Sequence, residues 1–162
     1  MGYGRFAAMI ATSTLVMFGL MYLNTWALDH VAFSQTRLWM ALLMGGTMAV
    51  IMMGFMFTMY PNRRANWAIL AGGVVVFAAS LWLVRSQATV GQEAWMRAMI
   101  PHHSIAVLTS TRATIRDPRV RDLADRIIET QMREIAEMRD LLASLERQPS
   151  PAEAPALPPR GP

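Results

Sequence analysis

Cysteine is absent from this 162-residue chain, and so is lysine: all 15 basic residues are arginine. Without a thiol there is no disulfide, no thiolate zinc site, no iron-sulfur cluster and no cysteine nucleophile. Charge of either sign is scarce, at 16% of residues against roughly 25% in an ordinary soluble domain. Hydrophobic residues make up 54%, and the mean hydropathy is +0.28. Acid is scarcest in the first half, where residues 1–90 hold Asp29 alone against Arg5, Arg37, Arg63, Arg64 and Arg85. Residues 91–147 hold nine arginines and nine acidic residues and are neutral. The positive excess therefore lies beside apolar segments, so a pI near 10.6 does not describe a nucleic-acid-binding face. No nucleic-acid partner is expected.

Long apolar runs are what the first half has instead. Residues 6–28, 38–59 and 67–84 are uncharged or nearly so, and a spanning helix needs roughly 20 apolar residues, about 17 at least. Their ends carry Tyr3, Tyr22, Trp26, Trp39, Tyr60, Trp67 and Trp82, the amphipathic rings that a membrane interface selects. Three spans in a lipid bilayer are expected. The first run follows Arg5 as a secretory signal would, but Asn24-Thr25-Trp26-Ala27-Leu28 offers no small-x-small cleavage pattern. The loop 60–66 contains Arg63 and Arg64 and no acid, which puts it in the cytoplasm by the positive-inside rule. The N-terminus is then cytoplasmic and everything after the third span extracytoplasmic. No span has a charged residue or a histidine at its centre, which proton-coupled transport usually needs.

The second span carries Met40, Met44, Met48, Met52 and Met56 at steps of four. Methionine is apolar and adaptable, and packing accounts for such a row. The rival is a metal path, because eukaryotic high-affinity copper transporters also have three spans and a Met-x-x-x-Met pair in the second. The third span here lacks their Gly-x-x-x-Gly.

Beyond Arg85 the sequence becomes charged and helix-favouring. Thr89-Val90-Gly91-Gln92 has capping-box spacing, and Asp117-Pro118 pairs an N-cap with proline at the first helical position. Helices are expected over 92–115 and 118–147, folded back on one another. The tail 148–162 holds six of the nine prolines and is expected to be disordered. On the second helix Val120, Ala124, Ile127, Gln131, Glu134, Met138, Leu141 and Leu145 follow heptad steps, with Leu123, Ile128, Ile135 and Leu142 widening the stripe, which puts Gln131 and Glu134 mid-seam. A two-helix hairpin hides one face of each helix, so wide apolar stripes on both call for a second copy of the chain or for docking on the membrane domain. The expected fold class is all-α: a membrane domain over 1–88, then an extracytoplasmic antiparallel helical hairpin over 89–147, completed by oligomerisation.

The segment from Trp95 to His103 carries the most chemistry. Met99 stands three residues before His102 and four before His103, spacings that meet on one helical surface. Pro101 removes an N–H beside them. Imidazole with thioether favours copper, Cu(I) especially, over magnesium or calcium. The opposing reading is a His pair that is merely polar at a bundle edge, with Gln131 and Glu134 fixing register. Asn24, Asp29 and His30, where the first span ends, either extend a metal site or cap the helix. A di-iron site is not expected, because Glu134-Ile135-Ala136-Glu137 has no histidine. No nucleophile with a base and no phosphate-binding glycine loop is present, so no enzymatic reaction is assigned.

Met99-Ile100-Pro101-His102-His103, followed by Leu123-Ala124, Ile127-Ile128, Gln131, Glu134-Ile135 and Met138, resembles the bacterial domain-of-unknown-function 305 family, over residues 92–145. The three-span half looks like the family's membrane-anchored branch. The resemblance implies a ferritin-like helical bundle outside the cytoplasmic membrane and, for some members, copper binding and copper tolerance. It implies copper on His102, His103, Met99 and Met138, with Glu134 and Gln131 orienting the imidazoles; Met96, and by their position at the end of the first span His30 and Asp29, are the accessory candidates. Longer soluble members carry the His-His motif twice, and many have a methionine where this chain reads Ala106-Val107-Leu108-Thr109. Homo-oligomers are expected from the single motif.

Overall fold

The computed structural model describes residues 2–151 and 155–158. It contains five α-helices, α1 (Tyr3–Leu20), α2 (Gln35–Met56), α3 (Arg63–Ser86), α4 (Gln92–Arg112) and α5 (Pro118–Arg147), with a short 3-10 turn at Leu28–His30. Among the described residues there is no strand. Helices α1, α2 and α3 are long and apolar enough to cross a membrane. Of the tail expected to be disordered over 148–162, residues 152–154 and 159–162 lie outside the described residues.

Helix boundaries follow local hydrogen bonding more closely than they follow the uncharged runs. The first run extends to residue 28, but α1 stops at Leu20. The next carbonyls are taken by side chains: Arg37 Nη1 donates to the Met21 oxygen, and Thr25 Oγ1 to the Tyr22 oxygen. Ser34 caps α2 by accepting from the Arg37 N–H at 3.2 Å. Asn62 caps α3 by accepting from the N–H groups of Arg64 and Ala65. Arg63 and Arg64 therefore open α3, where the sequence suggested a loop. Helix α4 ends at Arg112, short of 115, and Arg121 donates to the Ser110 carbonyl there, satisfying one of its orphan acceptors.

Helices α2 and α3 form the tightest pair in the apolar half. A Cβ added to Gly46 would lie 2.9 Å from the Gly73 carbonyl oxygen, and one added to Gly73 would lie 3.0 Å from that of Gly46. One glycine on each helix suffices for the close approach, without a Gly-x-x-x-Gly repeat. At the far end Asn66, wholly buried, donates to the carbonyls of Phe57 and Tyr60 and accepts from the Tyr3 hydroxyl. That network ties the start of α1 to the α2–α3 turn. Met53 is fully buried with Phe6 and Tyr60, and Met52 and Met56 pack around them. This part of the methionine row is packing.

Helix α4 runs antiparallel to α5, as the pairs Arg97 with Glu146, His103 with Glu134 and Ser110 with Arg121 require. Their core is Met96, Ile100, Ile135, Met138 and Leu142; burying side chains of this size contributes roughly 1.5–3 kcal/mol each. The buried line on α5 is Ala124, Ile135, Met138 and Leu142. All four lie in the expected stripe, but its centre falls on the Ile135 and Leu142 side, which leaves Val120 and Leu141 about half exposed and Gln131 and Glu134 on the rim instead of mid-seam. One face of α4 also docks on the first half of the chain, where the Trp26 N–H donates to Ser104 Oγ at 2.7 Å, and in the connection before α4 Thr89 Oγ1 accepts from Trp39 Nε1 at 3.2 Å.

Candidate metal centre

Successive residues on a helix point about 100° apart, and His102 and His103 show the consequence. Their ring centroids are 6.2 Å apart with planes at 68°. His103 is buried at 9% exposure, whereas His102 is exposed. His103 Nδ1 lies 2.9 Å from the Met99 carbonyl oxygen one turn back, and Nε2 lies 2.8 Å from Glu134 Oε2 on α5. A carbonyl only accepts, so Nδ1 carries a hydrogen and donates it. The Nε2 edge then faces the carboxylate, and a hydrogen must lie between those two atoms for the contact to be favourable. Pro101, buried in the same turn, has no N–H for the Arg97 carbonyl.

Beside this pair is a cavity of about 360 Å³ lined by Trp95, Met99, His103, Glu134, Glu137, Met138 and Leu141. It gathers one imidazole, two thioethers and two carboxylates, of which Glu134 stands opposite the imidazole. Among the described residues no three His, Asp or Glu side chains come together as a metal-holding group. The softness of the set rests on its two methionines, and hard cations such as magnesium or calcium would find too few oxygens.

Four of the residues singled out in the sequence meet here: Met99, His103, Met138 and Glu134. The others do not. His102 lines a different cavity of about 510 Å³, where α4 faces the ends of α1, α2 and α3, together with Met21, Met40 and Met99. A single centre using both histidines is not what α4 presents, because adjacent helical positions diverge. Met96 is core, packed with Ile100, Ile135 and Leu142. Gln131 makes no side-chain hydrogen bond among the described residues and lines neither cavity.

Asp29 and His30 anchor the α1–α2 connection to the charged half. His30 is 3% exposed, with Nδ1 2.9 Å from Ser104 Oγ. Ser104, wholly buried, accepts from the Trp26 N–H, and His30 Nδ1 is the one acceptor within reach of its hydroxyl hydrogen among the described residues, so the hydroxyl donates and the imidazole accepts. Burial lowers the pKa of His30 below 6.5; Arg139 adds to this and the Asp29 carboxylate opposes it. Asp29 accepts from Arg139 Nη2 at 2.9 Å, and this contact lowers its carboxyl pKa. Sequence reading missed Ser104 and Arg139. Ser104 follows the histidines directly, but nothing in the sequence marks a mid-helix serine as the receiver of a loop 74 residues earlier.

Residues 92–159 match the model of a family described as Domain of unknown function (DUF305). The chain is also similar to an uncharacterized protein of Acanthamoeba polyphaga mimivirus, 32% identical over 102 residues, covering 59% of this chain and 67% of that protein. No solved structure matches.

Proposed function

The chain belongs to the DUF305 family, and on that footing we propose that it is a membrane-anchored copper-binding protein whose site lies between α4 and α5. The observation that supports this most is His103, held between the Met99 carbonyl and the Glu134 carboxylate at the edge of a cavity flanked by two thioethers. The Nδ1–H bond to Met99 fixes the ring, and copper would take Nε2 by displacing the hydrogen that this nitrogen shares with Glu134. Met99 and Met138 supply soft sulfur, which favours Cu(I) over harder ions. The Met99 carbonyl orients the imidazole through Nδ1, and Glu134, on the Nε2 side, places a carboxylate beside the metal position. In this reading His102 is not a ligand of that centre. The role is binding, as a store or relay of copper, with no reaction of its own.

Helices α1, α2 and α3 anchor the protein in the bacterial inner membrane, and the arginines at the start of α3 hold that end in the cytoplasm. The α4–α5 pair is then a periplasmic hairpin, half of a ferritin-like bundle. In intact cells Asn62→Cys should be shielded from an impermeant thiol reagent and Ser150→Cys labelled; the reverse pattern would place the copper site in the cytoplasm. Copper content and Cu(I) competition on detergent-purified protein, wild type beside a His102→Ala/His103→Ala variant, test the function itself. Tight binding in the wild type and its loss in the variant are expected.

A second reading is a metal-free oligomerisation module. It draws on the apolar surface that α4 and α5 leave open, with Trp95, Leu123 and Leu141 each about half exposed. Both readings include self-association, and Leu141→Arg should weaken it in crosslinking or sedimentation. Equal, negligible copper in wild type and double variant favours the module alone.

A further inference from the structure

The cavity at the junction of the two halves, about 510 Å³, has a chemistry of its own. Arg37, in the first turn of α2, lines it and is 9% exposed. The guanidinium lies over the Tyr22 ring at 4.5 Å and donates from Nη1 to the Met21 carbonyl. Among the described residues that is the guanidinium's only hydrogen bond, and no carboxylate pairs with it. Asp29, the sole acid of residues 1–90, is engaged by Arg139. A buried guanidinium without a counter-charge is costly, and a planar fork of donors matches an oxyanion.

Met21, Met40, Met99 and His102 also line this cavity and by themselves would suit a soft metal ion. The fixed positive charge of Arg37, with no acid in the lining, disfavours a cation and favours an anion. Asn24, Thr36 and Gln87 supply further hydrogen-bonding groups on the wall, and Trp95 and Ile105 an apolar side. We propose that the junction cavity binds a phosphate group, with Arg37 as its counter-charge. If α1, α2 and α3 cross the membrane, the cavity sits at headgroup level, because the ends of all three helices border it, and the phosphate belongs to a phospholipid. That source rests on the membrane reading; the anion chemistry rests on Arg37 alone and is independent of copper.

The test uses full-length protein in a maltoside detergent without phosphate, washed free of lipid and followed by native mass spectrometry. The probes are dihexanoyl phosphatidylglycerol, inorganic phosphate and, as a phosphate-free control, dihexanoylglycerol. Wild type should retain one phosphate-bearing molecule per chain, and Arg37→Gln should weaken retention at least tenfold. Thr36→Asp places a carboxylate on the same wall in a helix first turn, where acid is favourable. It should abolish retention with an unchanged helical melt, which keeps the test decisive if Arg37→Gln does not fold. Phosphatidylglycerol outcompeting inorganic phosphate identifies the lipid as the source; equal retention of the two identifies free phosphate. The proposal is overturned if wild type retains neither, if dihexanoylglycerol is held as well as phosphatidylglycerol, or if Thr36→Asp retains phosphate like wild type.

Discussion

His102 and His103 are chain neighbours with opposite surroundings. His103 is enclosed against α5, its two nitrogens facing a backbone carbonyl and a carboxylate, beside thioethers. His102 opens toward the junction with α1, α2 and α3, in a cavity that includes a buried arginine and no acid. The difference teaches that a His-His dipeptide inside a helix is not a chelating unit. Geometry turns the two rings apart, and the partners each one meets come from residues three or four positions away or from another element. Met99, spaced for both, lines both cavities.

The largest change expected on the junction side comes from Ser104→Ala. It removes only the hydroxyl oxygen, yet it leaves the Trp26 N–H and the His30 ring unsatisfied where both meet a fully buried position. Unpaired buried polar groups cost about 1–3 kcal/mol each. Thermal unfolding in detergent should show a loss of that order, while copper binding at His103 should survive once the protein is folded. Parallel loss of copper affinity at low temperature would mean that the two faces are one unit.

Glu134→Gln probes the opposite face. Losing an outer-shell group typically costs about 10- to 100-fold in metal affinity, so without the carboxylate beside Nε2 the Cu(I) affinity should fall within that range with little change in stability. An unaltered affinity would remove Glu134 from the site.

Acidification should loosen the junction before it affects the α4–α5 core. His30 accepts from Ser104 as a neutral ring, and burial lowers its pKa from 6.5. The folded state thus binds that proton less readily than the unfolded chain. The contribution is complete above pH 6.5 and is lost as pH falls below it through the lowered value. Hydrogen exchange of amides 26–31, corrected for intrinsic rates, should show less protection at pH 5.5 than at pH 7.5. Greater protection at the lower pH would contradict the assignment. The smallest effect belongs to Glu146→Gln: its ion pair with Arg97 is largely exposed at 3.2 Å, and such pairs are worth about 0–1 kcal/mol.

Much of the fold was legible because its signals are local. Uncharged length marked the three apolar helices, and Asp117-Pro118 marked the start of α5, where Asp117 accepts from the Arg119 N–H at 2.9 Å. The early end of α1 was not legible, since it depends on Arg37 reaching the Met21 carbonyl from sixteen residues away. Of the expected stripe, Ile135 and Met138 do face inward, but Glu134, expected mid-seam, is set by packing at the rim, within reach of His103. Of the candidate site, the Met99 to His103 spacing and Met138 were readable from helical periodicity. The separation of His102, the burial of Ser104 and the lone charge of Arg37 all depend on contacts between the two halves, for which the sequence offers no periodic signal.

The central claim is that His103, and not His102, belongs to the copper centre. Cu(I) competition on His103→Ala and His102→Ala proteins, purified in the same detergent and shown to have the same helical content, tests it directly. His103→Ala should bind Cu(I) at least 100-fold more weakly than wild type, a difference of about 2.7 kcal/mol, and His102→Ala should bind within about threefold of wild type, under 1 kcal/mol. Equal losses in the two variants, or a larger loss in His102→Ala, would contradict the account.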